Sequence, residues 1–200
     1  MRRGKSEIRW FRELGMEYAR HYRDIEQAKE AFETERCAVL DTLEGHFEAE
    51  TKAQGLKITD RQPASRNRKE TYYRWFGLAP PAGYTDETGR DAGAAFWVER
   101  IEDDEVSAGL HASVEFYMRA RQYEQLGLQN EPQGGANPRT RWRWDADEGC
   151  LWRLVATIPI QPAEAEPIDK LKALPGDLCR AFVQADRDVT QLWRKANGKR

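Results

Sequence analysis

Cysteine is scarce in this chain and nowhere paired. Cys37, Cys150 and Cys179 are odd in number and far apart, with no C-x-x-C spacing. That pattern excludes a disulfide framework or a zinc ribbon and reads as reduced thiols in a cytoplasmic protein. Long apolar runs are lacking too, since nothing approaches the roughly 20 residues that a membrane helix needs. The opening M-R-R-G-K-S-E-I-R-W is charged with no apolar stretch behind it, so neither a secretory signal nor a membrane association is expected. Nor is there an excess of one charge: 32 basic residues stand against 34 acidic ones, a formal net charge of −2. Such a balance supplies no global field for nucleic acid or an anionic surface, and binding of that kind must come from a local patch. Internal repeats and low-complexity tracts are absent as well.

What the chain does have is charge and rings. Charged residues make up 33% of it, and Trp, Tyr and Phe occur seven times each. Because Leu, Ile and Val are modest in number, the rings must carry a large share of the burial. The length suits one domain with a core of useful volume. The expected layout is a single α+β domain over 1–200: a helical part at 1–55, an antiparallel sheet within 70–160, and a C-terminal helix within 167–197.

The stretch Val106 to Met118 is the centre of that layout. From Ala108 it alternates strictly, with Ala108, Leu110, Ala112, Val114, Phe116 and Met118 pointing one way and His111, Ser113, Glu115 and Tyr117 the other. A strand turns successive side chains to opposite faces, so this is one strand with an apolar side and a polar side. Before it, residues 70–78 read as a first strand and 94–101 as a second. The acidic turn 102–105 closes a hairpin with the central strand. A second hairpin follows, R-W-R-W-D at 141–145 and C-L-W-R-L-V-A-T-I-P at 150–159. Its alternation sets Trp142 and Trp144 against Arg141, Arg143 and Asp145. On the return strand it sets Trp152, Leu154, Ala156 and Ile158 against Leu151, Arg153, Val155 and Thr157. Loops are expected at 54–69, 79–94 and 130–140, with a short helix at 119–128.

Helices flank the sheet. From Ser6 to Ala53 there is no proline, and Phe11, Leu14, Tyr18, Tyr22, Ile25, Phe32, Val39, Leu43 and Phe47 recur mostly at intervals of three, four and seven. That is the pattern of an amphipathic helix. Forty-odd residues at 1.5 Å each would reach about 70 Å, longer than a compact domain, so a break is expected near Gly15 or around 32–36. At the other end, Pro175-Gly176 is expected to separate a short turn at 168–173 from a helix starting after Asp177. An antiparallel sheet of about four or five strands, with the helices roofing its apolar face, leaves the polar face open to water.

Three surfaces carry functional expectations. On the polar face, His111, Glu115, Arg143 and Arg153 are the candidate catalytic set for a phosphate-ester-directed enzyme. His111 would act as base and an arginine would hold the anion. A two-histidine phosphoesterase is excluded on count, since His-x-Ser occurs once and the other histidines, His21 and His46, fall in the helical region. The segment Arg61 to Phe76, with Arg66, Arg68, Lys69, Tyr72 and Arg74, interleaves cations with rings, a composition suited to single-stranded nucleic acid. Trp97, Tyr117 and the long loops form a candidate protein-binding surface, because rigid aromatics and arginine carry interface energy. No cofactor and no metal is expected. Glu102, Asp103, Asp104 and Glu105 lack the spacing of a calcium loop, and Asp145, Asp147 and Glu148 are followed by no closing glutamate. No nucleophile elbow and no phosphate-binding loop is present. Cys150 is the thiol with most claim to reactivity, while Cys37 and Cys179 fall beside apolar helix stripes. The leading expectation is therefore a non-catalytic macromolecular binding protein with a protein partner, acting as regulator, inhibitor or assembly subunit. Nucleic acid is the second choice of partner, and the oligomeric state is left open.

Overall fold

A computed structural model describes residues 13–62, 73–84, 92–100, 108–128, 142–160 and 168–196, together with Gly198. The elements follow in the order α1 (Glu13–Ala53), β1 (Ile58–Gln62), β2 (Tyr73–Leu78), β3 (Ala92–Arg100), β4 (Ala108–Tyr117), α2 (Ala120–Leu126), β5 (Trp142–Asp145), β6 (Cys150–Ile160) and α3 (Ile168–Ala196). The fold is α+β. The strands form one antiparallel sheet in the order β1-β2-β3-β4-β6-β5, so the two hairpins pair through β4 and β6. The sheet has six strands rather than the expected four or five. The additional strand, β1, lies in a segment read as a connection. It is a short edge strand of mostly exposed polar residues, and period-two burial leaves no mark on such a sequence.

Residues 1–38 make up one unit and residues 39–200 another. The helical backbone of α1 runs uninterrupted from Glu13 to Ala53, so the expected break does not occur. A helix that serves two units is not bounded by the diameter of either. The C-terminal helix is also continuous, with Pro175 inside it. A proline within a helix costs about 3 kcal/mol. Here Leu174, Leu178, Phe182, Ala185 and Val189 are all buried along one stripe, and that burial outweighs the lost hydrogen bond.

Within the larger unit, the apolar face of β4 is the centre of the core. Leu110, Ala112, Val114 and Phe116 are opposite Val98, Phe96, Ala94 and Ala92 of β3, and all eight are buried. The described helical segments of this unit meet that same face. Leu40, Leu43 and Phe47 of α1 join the core, with the Phe47 ring 4.9 Å from that of Phe76. The Phe182 ring of α3 stacks on Phe116 at 5.8 Å, and Tyr123 of α2 stacks on Trp144 at 4.5 Å.

A bulge in β6 changes which residues share that face. Ala112 is opposite Ala156 but Ser113 is opposite Leu154, so Val155 has no partner on β4. One extra residue exchanges the two faces of everything beyond it. Ala156 and Ile158 therefore lie on the helix side, as do Leu151 and Arg153, while Trp152 and Leu154 lie on the reverse. The single alternation expected along this strand holds only on either side of the bulge.

Candidate functional site on the Glu115 face of the sheet

The reverse face is built in rungs. Tyr73, Trp97, His111 and Thr157 are cross-strand neighbours, as are Trp75, Ala95, Ser113 and Leu154, and then Gly77, Gly93, Glu115, Trp152 and Arg143. Among the described residues no helix covers this face. Yet the polar ladder of β4 is not wet: Ser113 is 0% exposed, Glu115 7% and His111 9%. The expectation of an open, solvated face is corrected at this point. Aromatic side chains from the adjoining strands stand over the ladder, and the hydroxyls of Ser113, Tyr73 and Tyr117 meet the Glu115 carboxylate among them.

Glu115 is the centre. Ser113 Oγ donates to its Oε1 at 2.9 Å, Tyr117 Oη donates to its Oε2 at 3.1 Å, and Tyr73 Oη reaches both oxygens, at 3.1 and 3.3 Å. The Trp75 indole N–H also acts on this carboxylate, but it falls short of hydrogen-bond geometry and is a loose fourth donor. Among the described residues no basic side chain pairs with Glu115. Burial pushes the Glu115 carboxyl above its ordinary value of 4.5, and the four donors pull the other way without reversing the shift. The Tyr73 and Tyr117 phenols are pushed up by burial and then by the neighbouring Glu115 charge. Both therefore remain protonated donors at neutral pH.

Two glycines make room for this arrangement. A Cβ on Gly93 would lie 2.6 Å from Trp75 Nε1 and 2.7 Å from the Phe76 carbonyl oxygen. One on Gly77 would lie 3.1 Å from the Trp75 ring. The indole thus lies across the bare Gly77–Gly93 step, which points its N–H at Glu115 in the next strand. The edge of Trp75 meets Tyr117 at 5.9 Å, and Trp97 stacks on the His111 ring at 5.4 Å.

The candidate catalytic set is divided by these placements. His111 and Glu115 share the face, but four residues of strand place them about 13 Å apart. His111 Nδ1 meets Thr157 Oγ1 at 3.2 Å. Arg143 is on the same face, its guanidinium 5.0 Å over the Trp152 ring, with Trp152 between it and Glu115. Arg153 is on the helix side, over Trp142 and facing Asp188 at 3.8 Å, so the sheet separates it from the other three. Of the nucleic-acid candidates, Arg66, Arg68, Lys69 and Tyr72 lie outside the described residues. Arg74 is on the helix side, buried, and bound to Asp41 at 2.7 Å and Glu44 at 3.4 Å. Trp97 is half-buried rather than fully exposed, and Tyr117 is half-buried beside Glu115.

Other expectations resolve locally. Cys150 is buried, and burial, then Glu115 and Asp145, push its thiol up, which leaves little thiolate and corrects its reading as the reactive cysteine. Asp145 Oδ1 accepts from the backbone N–H groups of Asp147 and Glu148, so this carboxylate caps the hairpin turn. The acidic turn 102–105 and the loop 130–140 lie outside the described residues. Sequence reasoning missed Tyr73, Trp75, Gly77 and Gly93 as partners of Glu115. The signal was there in the alternation of Tyr73, Trp75 and Gly77 with Arg74, Phe76 and Leu78, but the neighbouring cations drew that segment toward a different reading.

No helix among the described residues is long and apolar enough to cross a membrane. Comparison with protein-family models, with curated proteins and with solved structures finds no match in any of the three.

Proposed function

We propose that this chain is a non-catalytic binding protein that engages a protein partner through the face of its sheet that carries Glu115. One observation carries the reading. Tyr73, Trp97, Tyr117, Trp152 and Arg143 are half-buried together on a face that no described helix roofs. Aromatic and arginine side chains held rigidly at half-burial are the groups from which interface energy is drawn, because little side-chain entropy remains to be lost on contact. Hydrogen bonds to Glu115 hold Tyr73 and Tyr117, while Trp97 stacks on His111 and Arg143 lies over Trp152. Catalysis by His111, Glu115 and Arg143 is the weaker reading: both Glu115 oxygens are occupied by hydroxyl donors, and His111 is held by Thr157 and Trp97 well away from it.

In such a role the chain is a regulator, an inhibitor or an assembly subunit. Its free cysteines, two of them buried, suit a reducing cytoplasmic compartment. The test compares capture by the intact chain with capture by a Trp97→Ala/Arg143→Ala/Trp152→Ala variant whose circular dichroism is unchanged. A stoichiometric protein retained by the first and lost by the second is the expected result. An identical profile from both would exclude this face as the binding surface.

A further inference from the structure

The hydroxyls around Glu115 are placed so that its carboxyl can be fully bonded in either protonation state. As an anion it only accepts, and Ser113, Tyr73 and Tyr117 all donate to it. The donors are divided unequally between the two oxygens. Oε1 receives Ser113 at 2.9 Å and Tyr73 at 3.3 Å. Oε2 receives Tyr73 at 3.1 Å and Tyr117 at 3.1 Å. A carboxylic acid has one carbonyl oxygen with two lone pairs and one hydroxyl that must donate. With the proton on Oε2, Oε1 keeps both Ser113 and Tyr73, and the new O–H finds its acceptor in Tyr117 Oη. Only one hydrogen bond changes direction. The Tyr117 side chain is half-buried, so its own O–H can then donate to water or to a partner.

Opposing effects act on the two states. Burial disfavours the anion, while the hydroxyls and the Trp75 indole favour it. From β2 the groups facing the carboxyl are Tyr73 and Trp75, and from β3 Gly93 and Ala95 bring no charge. From β4 come Ser113 and Tyr117, and from β6 comes Cys150, whose thiol burial keeps protonated. Asp145 and Glu148 act on Cys150, and Glu148 also acts on Tyr117. His111 is held by Thr157 and Trp97 four residues along the strand, and Arg143 stands beyond Trp152. Both phenols are pushed up, so neither ionises while the carboxyl titrates.

We propose that Glu115 is a proton switch for this face: uptake of one proton at Oε2 reverses the hydrogen bond to Tyr117 and turns that phenol from an inward donor into an outward one. Its consequence for a partner rests on the proposed use of this face for binding. Protonated Glu115 favours a partner that presents an acceptor to Tyr117, and ionised Glu115 one that presents a donor.

The switch is read on the intact chain alone. The tyrosine Fermi doublet in Raman spectra changes its intensity ratio between donating and accepting phenols. One step in that ratio is expected as pH rises from the ordinary carboxyl value of 4.5 into mild alkali, with parallel loss of an infrared carboxylic-acid band. Tyr117→Phe should abolish the Raman step and keep the infrared one. Glu115→Gln, whose amide offers one acceptor and one donor, should abolish both and hold the doublet at its acid value. Tyr73→Phe removes a donor to the anion and should move the infrared step up by about one pH unit. His111→Gln should leave both steps in place. A constant doublet, a step that survives Glu115→Gln or is lost with His111, or a midpoint indifferent to Tyr73→Phe overturns the proposal. Capture through the ring surface is tested separately by the alanine variant, so either reading can fail while the other stands.

Discussion

On the helix side of β4, Leu110, Ala112, Val114 and Phe116 meet rings and aliphatic chains from three helices; one residue along, His111, Ser113 and Glu115 are buried too, on a side where no described helix stands. The first face is sealed by area. A buried Phe such as Phe116, held between Phe182, Trp142 and Tyr84, is worth about 1.5–3 kcal/mol over its exposed state. The second is sealed by satisfaction of polar groups: rings lie over a carboxylate whose oxygens are met by three hydroxyls. The comparison teaches that burial along one strand need not mean one kind of chemistry. An apolar face tolerates loss of area in proportion, while a polar network fails when any one member is left without a partner.

Breaking the apolar side should have the largest effect. Phe116→Ala empties the centre of the core and is expected to cost about 3–5 kcal/mol in a denaturant titration. A cost below about 1 kcal/mol would mean that the helices are not held through this residue.

Gly93→Ala attacks the other side without removing anything. The new Cβ has no space between the Trp75 indole and the Phe76 carbonyl, so the ring must move away from Glu115. The expected cost is about 1–3 kcal/mol, with a changed tryptophan emission. Gly45→Ala, on an exposed helical site with nothing near the added atom, is the control and should stabilise by roughly 0.5–1 kcal/mol.

Titration sharpens the contrast further. Unfolded Glu115 loses its proton near the ordinary 4.5, and the folded residue holds it to higher pH because burial disfavours the anion. Its contribution to stability is therefore complete below the ordinary value and declines as pH rises toward and through the folded pKa. Glu115→Gln cannot ionise, so the variant should gain on the parent as pH rises from acid toward neutral in parallel melts. A constant difference across that range would show that the carboxyl is not perturbed.

The smallest effect expected is chemical. Burial pushes the Cys179 thiol up to about 12 and raises Cys150 as well, so a thiol reagent at neutral pH should label the half-buried Cys37 first. Early labelling of Cys150 would mean that the Glu115 face opens.

The α+β class, the two hairpins, the central strand and its two-sided character are all legible in the chain, because side chains in a strand alternate without reference to anything distant. The apolar members of β4 and the stripe of α3 follow from the same local periodicity. Four features are not legible there, and each depends on contacts remote in sequence. β1 exists because β2 offers it an edge. α3 passes through Pro175 because its stripe is buried on both sides of that residue. The bulge at Val155 sends Arg153 to the helix side, although its spacing from Trp152 suggests nothing unusual. Glu115 is buried because Tyr73 and Trp75, about forty residues earlier, reach it across two bare glycines. Local chemistry decided which residues would form strands and which side of each would be polar. Only the assembled sheet decided whether that polar side would face water or be closed over, since closure requires donors and rings that no single segment contains.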